Sequence, residues 1–359
     1  MNMKFCLPQV PGRGAGLGNE LIPWARAFVA ATVLNARLLP PAFGLNQRRY
    51  WRHFSTPRYD WAMQRALRAA LPVVEFDERA FLDHGGDCLS AAIREHAELH
   101  GLHERKYFVW KTQGMWGGYH HLLEAREFVR ATLYQSRYAA RNQLTLQARL
   151  DPDKITIGMH VRLGDFAPAN GEADYRNRFN VSLPTEWYAR IANRIREQLG
   201  SQVQFLIVSD GTPEQIAAIA KPIDAITTHD IPDADCSDLL ALSDCDLLVC
   251  SVSSYSAWAA FLSSAPYLWF GPNLNLHPEG TYSIWGHEPE QKKTTGATAR
   301  AIAKYVKCKE HWRGRGTAVG MDADLPLALF DDIMEASARR SCASDLVTYG
   351  VVPARKAGA

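Results

Sequence analysis

From Lys154 onward the chain alternates between short apolar runs and helical stretches, and this alternation limits the fold more than any other feature. Ile155–Val161 is a β-rich run followed by a loop of glycine, asparagine, aspartate and arginine. Trp187, Ile191, Ile195 and Leu199 make one face of a helix, and Phe205–Ser209 is a second buried strand. Thr212-Pro213-Glu214-Gln215 reads as a capping box with proline at the first helical position. Leu247–Ser251 is another strand, and Ser253–Leu262 is the helix after it. Strands separated by helices predict a parallel sheet with right-handed crossovers. The earlier sequence differs. Met1–Val10 reads as a strand that ends in the glycine-rich loop Pro11–Asn19, after which Leu21, Trp24, Phe28 and Thr32 recur at helical spacing. Residues 46–150 read as mostly helical, with many aromatic and basic side chains. A chain of 359 residues is too long for one ordinary core. The expectation is therefore an α/β protein of two lobes, residues 1–150 and 151–359.

Charge and cysteine usage narrow the function classes. Forty basic residues stand against 38 acidic ones, a balance that argues against a broad nucleic-acid-binding face but allows a small basic pocket. The seven cysteines (Cys6, Cys88, Cys236, Cys245, Cys250, Cys308 and Cys342) are irregularly spaced and contain no CxxC pair. That pattern favours a reduced, cytoplasmic protein over a zinc ribbon or a thioredoxin-type site. Met1–Lys4 leads straight into a strand-like piece, which does not read as a secretory leader. Leu21–Phe43 carries Arg26, Asn35 and Arg37, and Ala257–Phe270 is too short to span a bilayer. Contact with a membrane would be peripheral, at its inner face.

Ligands of open α/β sheets bind beyond the carboxyl ends of the strands. His160 and Arg162 share a side at the end of Ile155–Val161. A guanidinium there can hold a diphosphate with parallel hydrogen bonds, and Asp165 can fix its rotamer; a surface ion pair is the plainer alternative. Asp210, at the end of the next strand, can accept from ribose or a base, or can simply organise the turn with Thr212. The hydroxyl-rich turn Ser251–Ser256 opens a helix, where free N–H groups and the helix dipole favour an anion; capping by Ser253 or Ser254 is the plainer alternative. The glycines at 12, 14, 16 and 18 fit no G-x-G-x-x-G frame, and no Gly-Lys-Ser/Thr occurs. NAD chemistry and a Walker loop are thus disfavoured. The glycines still permit close backbone approach to a ligand between lobes.

His160-Val161-Arg162-Leu163-Gly164-Asp165-Phe166 resembles the His-x-Arg-x-x-Asp motif of fucosyltransferases, particularly the bacterial α-1,2-fucosyltransferases. Gly16-Leu17-Gly18-Asn19 resembles that family's opening segment, and Asp238 to Ser254 resembles its last motif. The resemblance covers the second half and part of the first ~45 residues, and leaves residues 46–150 unmatched. It implies a GT-B fold, two Rossmann-like lobes facing a cleft, and inverting sugar transfer from GDP-fucose. It further implies that His160 and Asp238 contact guanine, that Arg162 binds the donor phosphates and that Ser253 and Ser254, followed by Tyr255, hold the β-phosphate. Leu163 stands where that family usually has a second arginine, and Glu20 where it usually has glutamine.

No cofactor is expected beyond the nucleotide-sugar co-substrate, with an oligosaccharide or glycolipid as acceptor. No metal is expected either; Asp233-Ala234-Asp235 has the spacing of a manganese clamp but reads as a solvated turn. Glu20 and Asp165 are the candidates for a general base. Donor contacts are expected from Gly16, Gly18, Asn19, His160, Arg162, Asp210, Asp238, Ser253, Ser254 and Tyr255. Trp51, Trp110, Trp116 and Tyr119 could stack on acceptor sugars, with Arg48, Arg49 and Arg52 meeting acidic groups. The alternatives are a transferase with another nucleotide sugar and a catalytically silent nucleotide- or glycan-binding relative.

Overall fold

The computed structural model describes residues 3–9, 15–43, 48–54, 60–84, 88–114, 119–177, 180–273 and 316–342. Gly12, Gly14, Trp116 and Cys308 of the sequence reading lie outside them. The first half begins with β1 (Met3–Gln9), α1 (Leu17–Val33), β2 (Arg37–Leu38), α2 (Trp51–Phe54) and α3 (Asp60–Ala70). It continues with β3 (Val73–Phe76), α4 (Glu78–Asp83), α5 (Leu89–Leu99) and β4 (Tyr107–Gln113). Its four strands form a parallel sheet in the order β2-β1-β4-β3. The mostly helical reading of residues 46–150 therefore needs correction, because β3 and β4 fall inside it. Phe108, Val109 and Trp110 are consecutive and all buried. A parallel strand covered on both faces has no alternation to betray it.

After α6 (Arg126–Tyr134) and α7 (Ala139–Gln147) the second sheet begins with β5 (Ile155–Val161). Then come β6 (Ala167–Pro168), α8 (Asp174–Asn177), β7 (Val181–Ser182), α9 (Thr185–Leu199), β8 (Val203–Ser209) and α10 (Pro213–Ala220). β9 (Ala225–Thr227), α11 (Asp235–Ser243), β10 (Leu247–Val249), α12 (Ser254–Leu262), β11 (Tyr267–Phe270), β12 (Gly316–Val319) and α13 (Ala328–Cys342) complete the described chain. The capping box at Thr212 is present with both hydrogen bonds. All six strands of this sheet run parallel, in the order β12-β11-β10-β5-β8-β9. Chain order thus reverses between β5 and β10, which makes that gap the topological switch point where a ligand crevice opens.

The two sheets lie on opposite sides of residue 150, yet the packing between them is continuous. α12 is apolar nearly all round and has no face for water. Its Trp258, Phe261 and Leu262 belong to the same core cluster as Leu21 and Val29 of α1, Val129 of α6 and Leu240 of α11. α6 and α7 are the layer that ties first-half chain to second-half helices: Arg126 and Arg130 donate to Leu262 O, at the carboxyl end of α12. Among the described residues no helix is long and apolar enough to cross a membrane.

Candidate active site

A cavity of about 540 Å³ opens beyond the carboxyl ends of β5 and β8 and is lined from both halves of the chain, by Gly16–Asn19 on one side and by His160, Arg162 and Ser253–Tyr255 on the other. Its size suits a nucleotide or drug-sized ligand. β5 is buried along all seven residues, so the sheet fixes the backbone that delivers His160 and Arg162 to the rim.

The loop after β5 is organised by one carboxylate. Asp210, just beyond β8, accepts from Leu163 N at 2.9 Å and Gly164 N at 3.1 Å, and its other oxygen accepts from Arg162. A Cβ on Gly164 would run into the Asp210 carboxylate, so glycine is what lets the loop close over it. Arg162 also donates to Asp165, and its guanidinium lies 5.1 Å from the Phe166 ring centre. Both ends of the fork are thus held, with only 15% of the side chain exposed. The ion pair of Arg162 with Asp165 is present, and Asp210 does structural work that sequence left open.

His160 is 5% exposed. Its Nδ1 lies 2.7 Å from Ser256 Oγ and 3.0 Å from Ser251 Oγ, and its ring packs 4.9 Å from that of Tyr255. Burial, aided by the Arg162 charge, lowers its pKa to about 3, so the imidazole is neutral at ordinary pH.

Two helix N-termini converge on the same cavity. Ser253 caps α12, its Oγ accepting from Tyr255 N at 3.1 Å. Gly18, in the first turn of α1, sits so close that a Cβ there would stand 2.7 Å from Ser254 Oγ and 2.9 Å from Tyr255 N. Trp258 Nε1 donates to Gly18 O at 2.6 Å, and Tyr119 Oη donates to Ser254 O at 3.0 Å, which locks the approach. Tyr50 Oη accepts from Leu17 N at 2.9 Å. Both dipoles add positive potential where Arg162 stands, which suits a polyanion. Asp238 lines the cavity farther along. Burial pushes its carboxyl well above the ordinary 3.8, against the hydrogen bond from the Thr228 side chain that works to lower it.

Residues 93–267 match the model of glycosyl transferase family 11. The match runs through β5, Asp238 and α12, and it supports glycosyltransferase activity. No curated protein matches the chain. Among solved structures it is similar to POFUT1 in complex with GDP-fucose, at 14% identity over 74% of this chain and 96% of that one, with a TM-score of 0.41. It is likewise similar to the fucosyltransferase NodZ from Bradyrhizobium, at 14% identity over 73% and 94%, with a TM-score of 0.45. The NodZ α-1,6-fucosyltransferase soaked with GDP-fucose gives 15% identity over 80% and 100%, with a TM-score of 0.40.

Of the sequence-predicted residues, Gly16, Gly18, Asn19, His160, Arg162, Asp165, Asp210, Asp238, Ser253, Ser254 and Tyr255 all line this cavity. Glu20 does not: it is 0% exposed, in the first turn of α1. Trp110 is 0% exposed in the first core and Tyr119 is 4% exposed beneath α12, so neither presents a face to a sugar. Asp233 lies in the expected turn and Asp235 opens α11 with an exposed side chain, and both are also paired. They reach across to Arg52 at 3.2 Å and His53 at 3.1 Å, and among the described residues no cluster of three or more His, Cys, Asp or Glu side chains is placed to hold a metal ion. Arg48, Tyr50, Thr228 and Asp235 also line the cavity. Sequence gave them no donor-site role, because Arg48 and Tyr50 fall in the unmatched middle and their partners lie far away in the chain.

Proposed function

We propose that the chain is an inverting glycosyltransferase that moves L-fucose from GDP-fucose to a hydroxyl of a glycan or glycolipid. The observation that carries this reading is the meeting of the α1 and α12 N-termini at Gly18 and Ser254, with Arg162 at the same cavity. Positive potential held in place there stabilises the diphosphate as charge grows on it during departure of the sugar. Guanine has an edge with two N–H donors, which suits a carboxylate at the cavity wall, and Asp238 is one. The neutral His160 can donate to the acceptor atoms of the base through Nε2 when Nδ1 accepts from Ser256. The motif resemblance supports fucose and the α-1,2 class. Cytoplasmic placement, with a lipid-linked acceptor met at the inner face of the membrane, belongs to the same reading.

The test is turnover of GDP-fucose, in the presence of chelator, by the unaltered protein and by Arg162→Ala. Removing one preorganised donor typically lowers the rate about 10²–10³-fold. Arg162→Lys should recover only part of it, since an ammonium cannot reproduce the fork. Thermal shift should rank GDP above UDP, dTDP and NAD, because a ligand selective for the native state stabilises it by mass action. Equal shifts for GDP and UDP would overturn the guanine assignment, and an Arg162→Ala enzyme with normal turnover would overturn the site.

A further inference from the structure

Asp165 is shared by two arginines. Its Oδ1 accepts from Arg162, at the end of β5, and its Oδ2 accepts from Arg48 at 3.3 Å, from the first half of the chain. Both arginines and Asp165 line the cavity. The three side chains are not equally fixed. Arg162 is anchored to Asp210, which the backbone of Leu163 and Gly164 holds in turn. The Asp165 side chain is 51% exposed and that of Arg48 is 34% exposed. The exposed Arg48–Asp165 pair contributes about 0–1 kcal/mol, so a stronger anion can take the carboxylate's place on Arg48 at little cost.

Asp165 pairs with both arginines, and Arg162 pairs with Asp210 as well. If Asp165 turns out to water, two guanidiniums, one from each half of the chain, face the gap it leaves, in a cavity that also receives two helix N-termini. We propose that the Asp165 carboxylate is a placeholder for a phosphoryl group, and that Arg48 is a second diphosphate-binding residue supplied by the first half of the chain. The ligand class is a nucleoside diphosphate, and the inference rests on the nucleotide-sugar reading above. A diphosphate has two phosphoryl groups and can engage both arginines, whereas a monophosphate engages the anchored Arg162 alone. In this arrangement the diphosphate replaces Asp165 as the group that bridges the two halves of the cavity.

The plainer role for Arg48 is merely to hold Asp165, and a double-mutant comparison separates the two. Binding of GDP, GMP and inorganic pyrophosphate is measured by calorimetry on the full chain, with Arg48→Ala, Asp165→Asn and the double variant, each checked for an unchanged melting temperature. Hydrogen bonds to charged groups translate into about tenfold or more in affinity. Arg48→Ala is expected to weaken GDP and pyrophosphate by about that factor and GMP much less. Asp165→Asn is expected to tighten GDP, because it removes the competing carboxylate. The decisive outcome is the double variant: Arg48→Ala must still weaken GDP when Asp165 is already neutral. If its effect vanishes in that background, or if GMP is weakened as much as GDP, Arg48 only positions Asp165 and the proposal is overturned. If the unaltered protein binds neither GDP, UDP nor pyrophosphate, the nucleotide-sugar reading falls and takes this proposal with it. If UDP binds as well as GDP, only the guanine assignment falls, and UDP serves as the probe for Arg48.

Discussion

A carboxylate that loses water without gaining a cation resists ionisation, and Asp238 is in that position. Burial holds its pKa well above 3.8; the hydrogen bond from the Thr228 side chain works to lower it, and the nearby Asp235 charge adds to the rise. In the proposed complex it must be ionised to accept two N–H groups from guanine. Binding of GDP should therefore release a proton when the free protein holds one, and affinity should fall as pH drops through the raised pKa, above the ordinary carboxylate range. The sign for stability is opposite. A carboxyl that keeps its proton better folded than unfolded makes the fold less stable as pH rises from 3.8 through that pKa. His160 acts the other way at low pH: folded it stays neutral to about 3, while unfolded it protonates near 6.5, so stability falls as pH drops between these values. GDP titrations across pH test the Asp238 assignment. Affinity independent of pH, or an unchanged profile in Asp238→Asn, would remove Asp238 from the base site.

At the scale of elements, the site is a junction of helix starts, and Gly18 is what allows it. In Gly18→Ala the new Cβ would meet Ser254 C at 2.8 Å and Tyr255 N at 2.9 Å, backbone atoms that cannot rotate aside. Overpacking of this kind typically costs about 1–3 kcal/mol, and the two N-termini must separate, so GDP affinity should drop as well. Gly16→Ala is the control, since nothing lies within 4 Å of its added Cβ and its φ of −70° suits alanine. Urea unfolding and calorimetry on the pair check both claims; equal behaviour of the two variants would mean that the α1–α12 contact is not tight. These elements were legible where their signals are local. The Thr212 capping box, the α12 start at Ser253 and the strand before Arg162 each declare themselves within a few residues. The partners of Arg48 and Tyr50 did not, because Asp165 and Leu17 reach them only through the folded chain. β4 was hidden for another reason: its inner residues are buried on both faces, so their pattern matches any apolar segment.

For the whole molecule, the question is how much chain the second sheet needs in order to stand alone. A cut at residue 150 follows the sheets but not the packing. Asp244, which follows α11, accepts from Arg130 Nη2 and from Tyr134 Oη of α6. Arg126 donates to Ser263 O at 2.7 Å, just past the end of α12. Asn142 of α7 is 2% exposed, and its amide donates to Pro232 O, Asp233 O and Ser237 Oγ, fixing the stretch that carries Asp235 and Asp238 into the cavity. A fragment of residues 151–359 loses all of these donors together with the apolar cover that Val129 and Leu133 give to the shared core. Each buried acceptor left without a donor costs about 1–3 kcal/mol, and a domain has only about 5–15 kcal/mol to lose. A fragment of residues 119–359 keeps them; it gives up the α1 packing on α12 and on Phe128 of α6 and the pairs that Arg48, Arg52 and His53 make with Asp165, Asp233 and Asp235. We therefore propose residue 119, rather than 151, as the start of the donor lobe. Urea unfolding followed by tryptophan fluorescence should show a cooperative transition for the longer fragment and a broad or absent one for the shorter. An equally cooperative transition in residues 151–359 would place the boundary at 150 and reduce α6 and α7 to a connector.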